Sequence, residues 1–193
     1  MKNITALFAF VICIINCKAQ QKNQKIFPLN RYYYYFPHYS YMKDLDNCLS
    51  QYVGAYKADY KGNQITLYIF KENKKLVGSK EYRFYQDVLH IKYIVKNRFT
   101  GKILQDIQSN SSLNNKIISI GTDVSDNNSI LLYYNGTHCD VGWGRISLKK
   151  INSKKISWSY YPYSGPLEQK KCQNNIDTKV YLPDIENFIF IKQ

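Results

Sequence analysis

His138-Cys139-Asp140 is the one place in this 193-residue chain where a base, a nucleophile and an acid stand together. Such a trio offers thiol or hydrolytic catalysis, with an imidazole taking the nucleophile's proton and a carboxylate orienting the ring. Neighbouring side chains of an extended segment point to opposite faces, so His138 is poorly placed to activate Cys139. A thiol enzyme or hydrolase around this pair is kept only as an alternative, and no catalytic residue is assigned. Asp44, Asp46 and Asp87 read as loop residues without an apolar pocket, which is not the setting of a paired acid and base. Gly142-Trp143-Gly144 lacks the strand and helix that flank a phosphate-binding loop. Arg145 and Trp143 share a face there, which predicts a structural cation-π contact. No Cys or His spacing fits zinc, and neither metal nor cofactor is expected.

The element that must carry everything else is the stretch Tyr52 to Phe70, YVGAYKADYKGNQITLYIF. Gly62-Asn63 tolerates the positive φ angles of a two-residue hairpin loop. That loop sets Tyr60 against Ile65, Ala58 against Leu67 and Tyr56 against Ile69 on one face. Asp59, Lys57 and Ala55 then oppose Thr66, Tyr68 and Phe70 on the other. A one-residue slip would turn the lysine and the aspartate into the aliphatic row, so pattern and turn agree.

Further pairs follow. Leu76 to Tyr85 and Val88 to Lys96 predict a second hairpin about Gln86-Asp87, with Leu89, Ile91, Tyr93 and Val95 on one face and a solvent-facing His90 on the other. Shorter strands are expected at Ile103 to Ile107, Ile117 to Gly121 and Ile130 to Tyr134, between Asn, Ser and Asp clusters. Gly142 to Leu148 and Ile156 to Tyr160 form a hairpin about the loop Ile151-Asn152-Ser153. In that register Leu148 faces Ile156, Ile146 faces Trp158, and Gly144 lies beneath Tyr160. Lys149 and Lys150 meet Lys154 and Lys155 at its tip. The last strand is Phe188 to Lys192. Nine or ten strands without an intervening helix predict an all-β fold, an antiparallel up-and-down barrel or a strongly bent sheet.

Residues 1–19 read as a signal peptide. Lys2 precedes an apolar run from Ile4 to Ile15 that is too short to span a bilayer, which needs about 20 residues. Two cleavage readings stand: Ile14-Ile15-Asn16-Cys17 as a lipobox that lipidates Cys17 and anchors the protein to a membrane, or Cys17 and Ala19 as the small residues of a site that releases Gln20. Either exports the chain, to the periplasm, the envelope surface or the medium. Residues 20–47 form an irregular, Tyr-rich arm, in which Arg31 to Tyr41 could stack on sugar rings but is expected to pack over a barrel mouth or to act as a tether. Residues 48–193 make one domain.

The formal net charge is +13. Arginine occurs only at Arg31, Arg83, Arg98 and Arg145, and lysine is spread along the chain. Nucleic-acid readers concentrate arginine for bidentate contacts, so no nucleic-acid partner is expected. An anionic surface met through the lysines is a further alternative. With Cys13 lost and Cys17 lipidated or removed, Cys48, Cys139 and Cys172 remain. A Cys139 to Cys172 bridge joins two loops beside the C-terminal strands, while pairings with Cys48 stay open.

Several stretches have a family look: the Cys-Lys-Ala-Gln end of the leader, Tyr52 to Lys57, Lys92 to Lys96, Gly136 to Gly144 and Tyr181-Leu182-Pro183. Together they resemble a family of small envelope proteins from Bacteroidota catalogued as domain of unknown function 6705. The resemblance implies export and carries no active site. It favours the Cys139 to Cys172 bridge, and Asn16 departs from the serine common at that position. Gly54-Ala55-Tyr56 is similar, more distantly, to the Gly-x-Trp entry of lipocalin-type barrels. That likeness implies a small apolar ligand inside the barrel, in a cavity lined by residues such as Tyr56, Leu67, Ile69 and Trp158. The expected function is therefore a non-enzymatic cell-envelope protein that holds such a ligand or presents a surface to another component.

Overall fold

The computed structural model of the chain describes residues 24–30, 36–107, 116–123, 125–126, 129–163 and 177–193. Residues 1–19 with Cys17, the segment 31–35 and Cys172 lie outside the described residues. Among the described residues eleven strands form: β1 (Ile26–Pro28), β2 (Tyr41–Lys43), β3 (Gly54–Tyr60), β4 (Asn63–Gly78), β5 (Arg83–Asn97), β6 (Ile103–Asp106), β7 (Ile117–Thr122), β8 (Ser129–Tyr134), β9 (Gly144–Asn152), β10 (Lys155–Pro162) and β11 (Phe188–Lys192). The order β5-β4-β3-β11-β10-β9-β8-β7 returns from β7 to β5, closing an eight-stranded barrel. Every contact round the ring is antiparallel, and strands adjacent in the ring follow one another in the chain, except that the short β6 falls between β5 and β7 and that β3 pairs with the last strand, β11. The all-β, up-and-down expectation thus resolves to the closed barrel rather than the bent sheet.

The first hairpin keeps its predicted faces and moves its loop. Lys61 and Gly62, with φ of 46° and 78°, are the loop residues, as a two-residue turn with positive φ at both positions demands. Asn63 instead opens β4 opposite Tyr60, and Tyr56 lies against Leu67. Because the shift is two residues, the inward row survives: Tyr56, Ile65, Leu67 and Ile69 are buried. The β9-β10 hairpin behaves the same way. Its loop is Ser153-Lys154, Leu148 faces Trp158, Ile146 faces Tyr160, and Gly144 faces Pro162. A bulge beside Lys155 sets Lys150 against Ile156 and Lys149 against Ser157, so the four lysines do not stack in opposed pairs.

The expected turn at Gln86-Asp87 does not exist. β5 runs straight through both residues, and β4 returns beyond Gly78 instead. Their polarity reads as a turn, but the Asp87 carboxylate is buried and fully bonded. It accepts from the Tyr41 hydroxyl at 2.5 Å, the Lys74 amide at 2.8 Å and the Asp44 amide at 2.9 Å. Lys74 can donate because a bulge between Glu72 and Lys75 bends β4, with Lys74 at φ 55°. Tyr41 and Asp44 belong to the arm, which is less irregular than its composition predicts. β1 and β2 pair in parallel, and β2 lies parallel on β5 at Tyr85 and Gln86. Leu29, Phe36, Tyr41 and Met42 are buried there, so the described part of the arm packs on the barrel.

Candidate functional site

The interior comes first, because it is where a barrel of this kind holds a ligand. The four residues expected to line a cavity do converge there: Tyr56, Leu67, Ile69 and Trp158 are each at most 1% exposed. They sit among Tyr93, Tyr134, Tyr160 and Phe190 in one apolar cluster. The Tyr93 and Tyr134 hydroxyls satisfy each other at 2.9 Å, and Tyr134 meets Tyr160 edge to face. Burial raises the pKa of each of these phenols well above the ordinary value. All three stay neutral.

Both mouths are plugged by chain. Where β3 begins and β9 ends, a short 3-10 turn over Ser50–Tyr52 inserts Leu49 and Tyr52. The Lys150 amide donates to the Tyr52 hydroxyl at 3.1 Å. At the other mouth Leu182 is buried, and the indole Nε1 of Trp158 donates to the Pro183 carbonyl at 3.0 Å.

Beside the first mouth lies a group of bonded titratable side chains, Asp44, Lys71 and Cys48. The Asp44 carboxylate is held by Lys71 Nζ at 2.7 Å, the Cys48 amide at 2.8 Å, the Cys48 thiol at 3.0 Å and the Leu49 amide at 3.1 Å. Burial pushes its pKa up, and these donors, led by Lys71 and the thiol, outweigh that and hold it below the usual carboxylate value. Burial, followed by the Asp44 carboxylate, pushes the Cys48 thiol up to about 12. Cys48 is a free thiol and is protonated near neutrality, the opposite of a reactive cysteine. This cluster ties the arm to the barrel and leaves no spare acid or base.

His138-Cys139-Asp140 is not extended. It forms a 3-10 turn with Cys139 and Asp140 at φ 58° and 57°. Lys116 Nζ reaches Asp140 at 3.1 Å, which occupies the acid that would orient an imidazole. Cys139 is not among the free thiols. Trp143 packs on Tyr163 and Tyr133, at 4.7 and 6.3 Å between ring centres, rather than on Arg145 as expected.

Sequence reasoning missed the concavity on the outer wall of β4 and β5. It is a groove of about 460 Å³ lined by Phe70, Lys71, Glu72, Lys75, His90 and Lys92. The bulge in β4 shapes it. Its only signal in the sequence is the break in alternation at Lys71-Glu72-Asn73-Lys74-Lys75. His90 lies on the outer face as expected but is covered rather than solvated, at 9% exposure. Its Nε2 meets Glu72 at 2.5 Å, while Nδ1 is buried without a partner among the described residues. Burial lowers the His90 pKa, so the ring is neutral at pH 7 and Nε2-H donates to the carboxylate. Glu72, pulled up by burial, is held low by Lys75 and His90.

Architecture, sequence and motifs now converge on one family. The chain belongs to the family of unknown function DUF6705. The match runs over residues 1–193, and the closed barrel fits the lipocalin-like analogy. No curated protein and no solved structure matches the chain. Among the described residues no group of three or more His, Cys, Asp or Glu side chains is placed to hold a metal.

Proposed function

We propose that this DUF6705 protein is a non-enzymatic, exported cell-envelope protein whose barrel is a solid scaffold and whose contacts are made by its outer wall. The observation that carries this reading is the filled interior. Trp158, Tyr56, Tyr93, Tyr134 and Phe190 occupy the place where a lipocalin-type barrel would hold its ligand, all with essentially no exposure. The alternative of a small apolar ligand in the lumen would have to displace these rings. Charges such as Lys57, Asp59, Lys92 and Lys149 alternate onto the outer face, opposite to a barrel that meets lipid with its outside. The thiol-enzyme alternative loses support because Asp140 is engaged by Lys116 and Cys139 is not among the free thiols.

Export rests on the leader, with Lys2, the apolar run Ile4 to Ile15, and Cys17 as lipid acceptor. A bridge between Cys139 and Cys172 belongs to the same reading, since Cys48 is free and leaves those two as partners. Closing that loop would add about 3 to 4 kcal/mol in the chain-entropy account. The deciding experiment is the intact mass of the protein isolated from its native envelope. The expected mass is that of a chain beginning at Cys17 with a diacylglyceryl group and one disulfide. A chain retaining Met1 removes export, and one beginning at Gln20 removes the anchor alone.

A further inference from the structure

The inward rows of three strands end in lysine at the mouth where β3 begins. On β4 the buried Leu67 and Ile69 are followed by Lys71, on β9 Ile146 and Leu148 by Lys150, and on β11 Phe190 by Lys192. In register these lysines lie opposite Leu89, Ile156 and Tyr56, all buried, which places them on the core face of their strands. Lys71 is neutralised by the buried Asp44 carboxylate at 2.7 Å. Lys150 and Lys192 have no ion-pair partner among the described residues.

These two converge on one ring. Their ammonium nitrogens stand 5.8 and 5.6 Å from the centre of Tyr56, and both side chains are half-buried, whereas Lys154 and Lys155 at the hairpin tip are exposed. Lys150 donates to the Gln51 carbonyl at 2.7 Å and to the Tyr56 hydroxyl at 3.4 Å, which leaves it one proton to give. The Lys192 ammonium has no hydrogen-bond acceptor among the described residues. Its stem crosses Gly54, where a Cβ would stand 2.7 Å from the Lys192 Cε, so the bare backbone there makes room for it. Burial lowers the Lys150 pKa, and the charge of Lys192 lowers it further. Two like charges side by side over a closed apolar core repel one another, and a shared counter-charge relieves that cost.

We propose that Lys150 and Lys192 form a binding site for a phosphate group, seated at the rim of this mouth over Tyr56. The surplus there is two positive charges, and a phosphate monoester carries about two negative ones near neutral pH. Both cations are lysines, which act as point charges toward a tetrahedral oxyanion and lack the planar fork that arginine offers a carboxylate. The lumen below is filled by Trp158, Tyr93 and Tyr134, so the phosphate stays at the surface and whatever carries it extends outward.

The site goes beyond the outer-wall reading above and is tested independently of export, on the purified chain. Inorganic phosphate is titrated at constant ionic strength against a chloride blank by calorimetry, because screening alone would otherwise change. Vesicles of phosphatidylcholine with and without phosphatidic acid are pelleted in parallel. Saturable binding of inorganic phosphate, of phosphatidic acid vesicles or of both is expected, and which of these is seen separates a free phosphate from a membrane-borne one. Lys150→Met and Lys192→Met should each weaken binding about ten-fold, and Lys154→Met/Lys155→Met should bind as the parent does. Unchanged circular dichroism shows that the variants fold. A second readout needs no variant: the bound probe should protect Lys150 and Lys192, and not Lys154, from acetylation mapped by mass spectrometry. Binding of neither probe overturns the proposal. So does equal binding by the parent and the two rim variants, equal loss in the tip variant, or uniform protection of all lysines, the last two marking diffuse attraction. Failure here leaves the envelope mass measurement untouched, and failure of export leaves this binding result standing.

Discussion

The two mouths of the barrel differ in where their carboxylates stand, buried at one and half exposed at the other. At the mouth where β3 begins, the plug of residues 44–52 is held through buried carboxylates, with Asp44 bound to Lys71 and Asp87 receiving Tyr41. At the far mouth, Leu182 and the Trp158 indole under Pro183 close the core, and the carboxylate that fastens this segment, Asp184, is half exposed where it receives Tyr60 at 2.5 Å and meets Lys61 at 3.6 Å. The reason lies in the chain that does the closing. The first plug belongs to an arm that joins the barrel from outside and must be fastened to it, which directional bonds do. The second lies between two strands of the ring itself, is already tied down by them, and is held by bonds at the rim rather than by a buried charge.

The comparison can be broken most forcefully at the far mouth. Trp158→Ala removes the largest buried side chain and should destabilise the protein by about 3 to 5 kcal/mol, lowering Tm by roughly 10 °C, read by calorimetry. Asp44→Ala strands Lys71 and two backbone amides without their acceptor. Lys71 keeps some solvent contact, with 18% of its side chain exposed, so the expected loss is smaller, about 2 to 3 kcal/mol in a denaturant titration.

A pH series sharpens the contrast. The Asp44 pKa is lowered from 3.8, so its stabilising contribution is complete above that value. It is lost as pH falls through the depressed folded value, because the unfolded chain takes up the proton first. Stability should therefore drop more steeply below pH 3.8 in the parent than in Asp44→Asn, and Trp158→Ala should keep the parent's slope. Equal slopes in parent and Asp44→Asn would show that the charged mouth is not what acid opens. The smallest effect is expected from Cys48→Ala, which deletes one of the donors to Asp44 and should change stability by less than about 1 kcal/mol. Consistent with a thiol pKa of about 12, iodoacetamide should label Cys48 far more slowly in the native protein than in urea.

The faces of β3, β4, β9 and β10 were legible because inward and outward side chains alternate and a two-residue register shift leaves that alternation intact. Loop positions were less legible, since Lys61-Gly62 and Gly62-Asn63 both supply a glycine and the choice depends on which residues take positive φ. The second hairpin was misread because Gln86 and Asp87 are polar in a place that turns usually occupy. What satisfies Asp87 includes Tyr41 and Asp44, more than forty positions away in the chain. For the same reason His90, correctly placed on the outer face, was wrongly expected to be solvated, and the groove beside it was invisible.

By itself the sequence determined an all-β chain of alternating strands, the buried identity of residues such as Tyr56, Leu67 and Trp158, and the family to which it belongs. The first two follow from local rules, the two-residue period of a strand and the turn chemistry between strands, and the family from the match over residues 1–193. Only the tertiary structure decided that the ring closes, that rings fill its lumen, and that buried carboxylates fasten one mouth. Closure depends on two short seams, β5 with β7 at His90 and Ile91, and β3 with β11 at Tyr56 and Lys57. Each joins strands distant in the chain, and no local pattern encodes which edge a strand will find once the apolar faces have collapsed together.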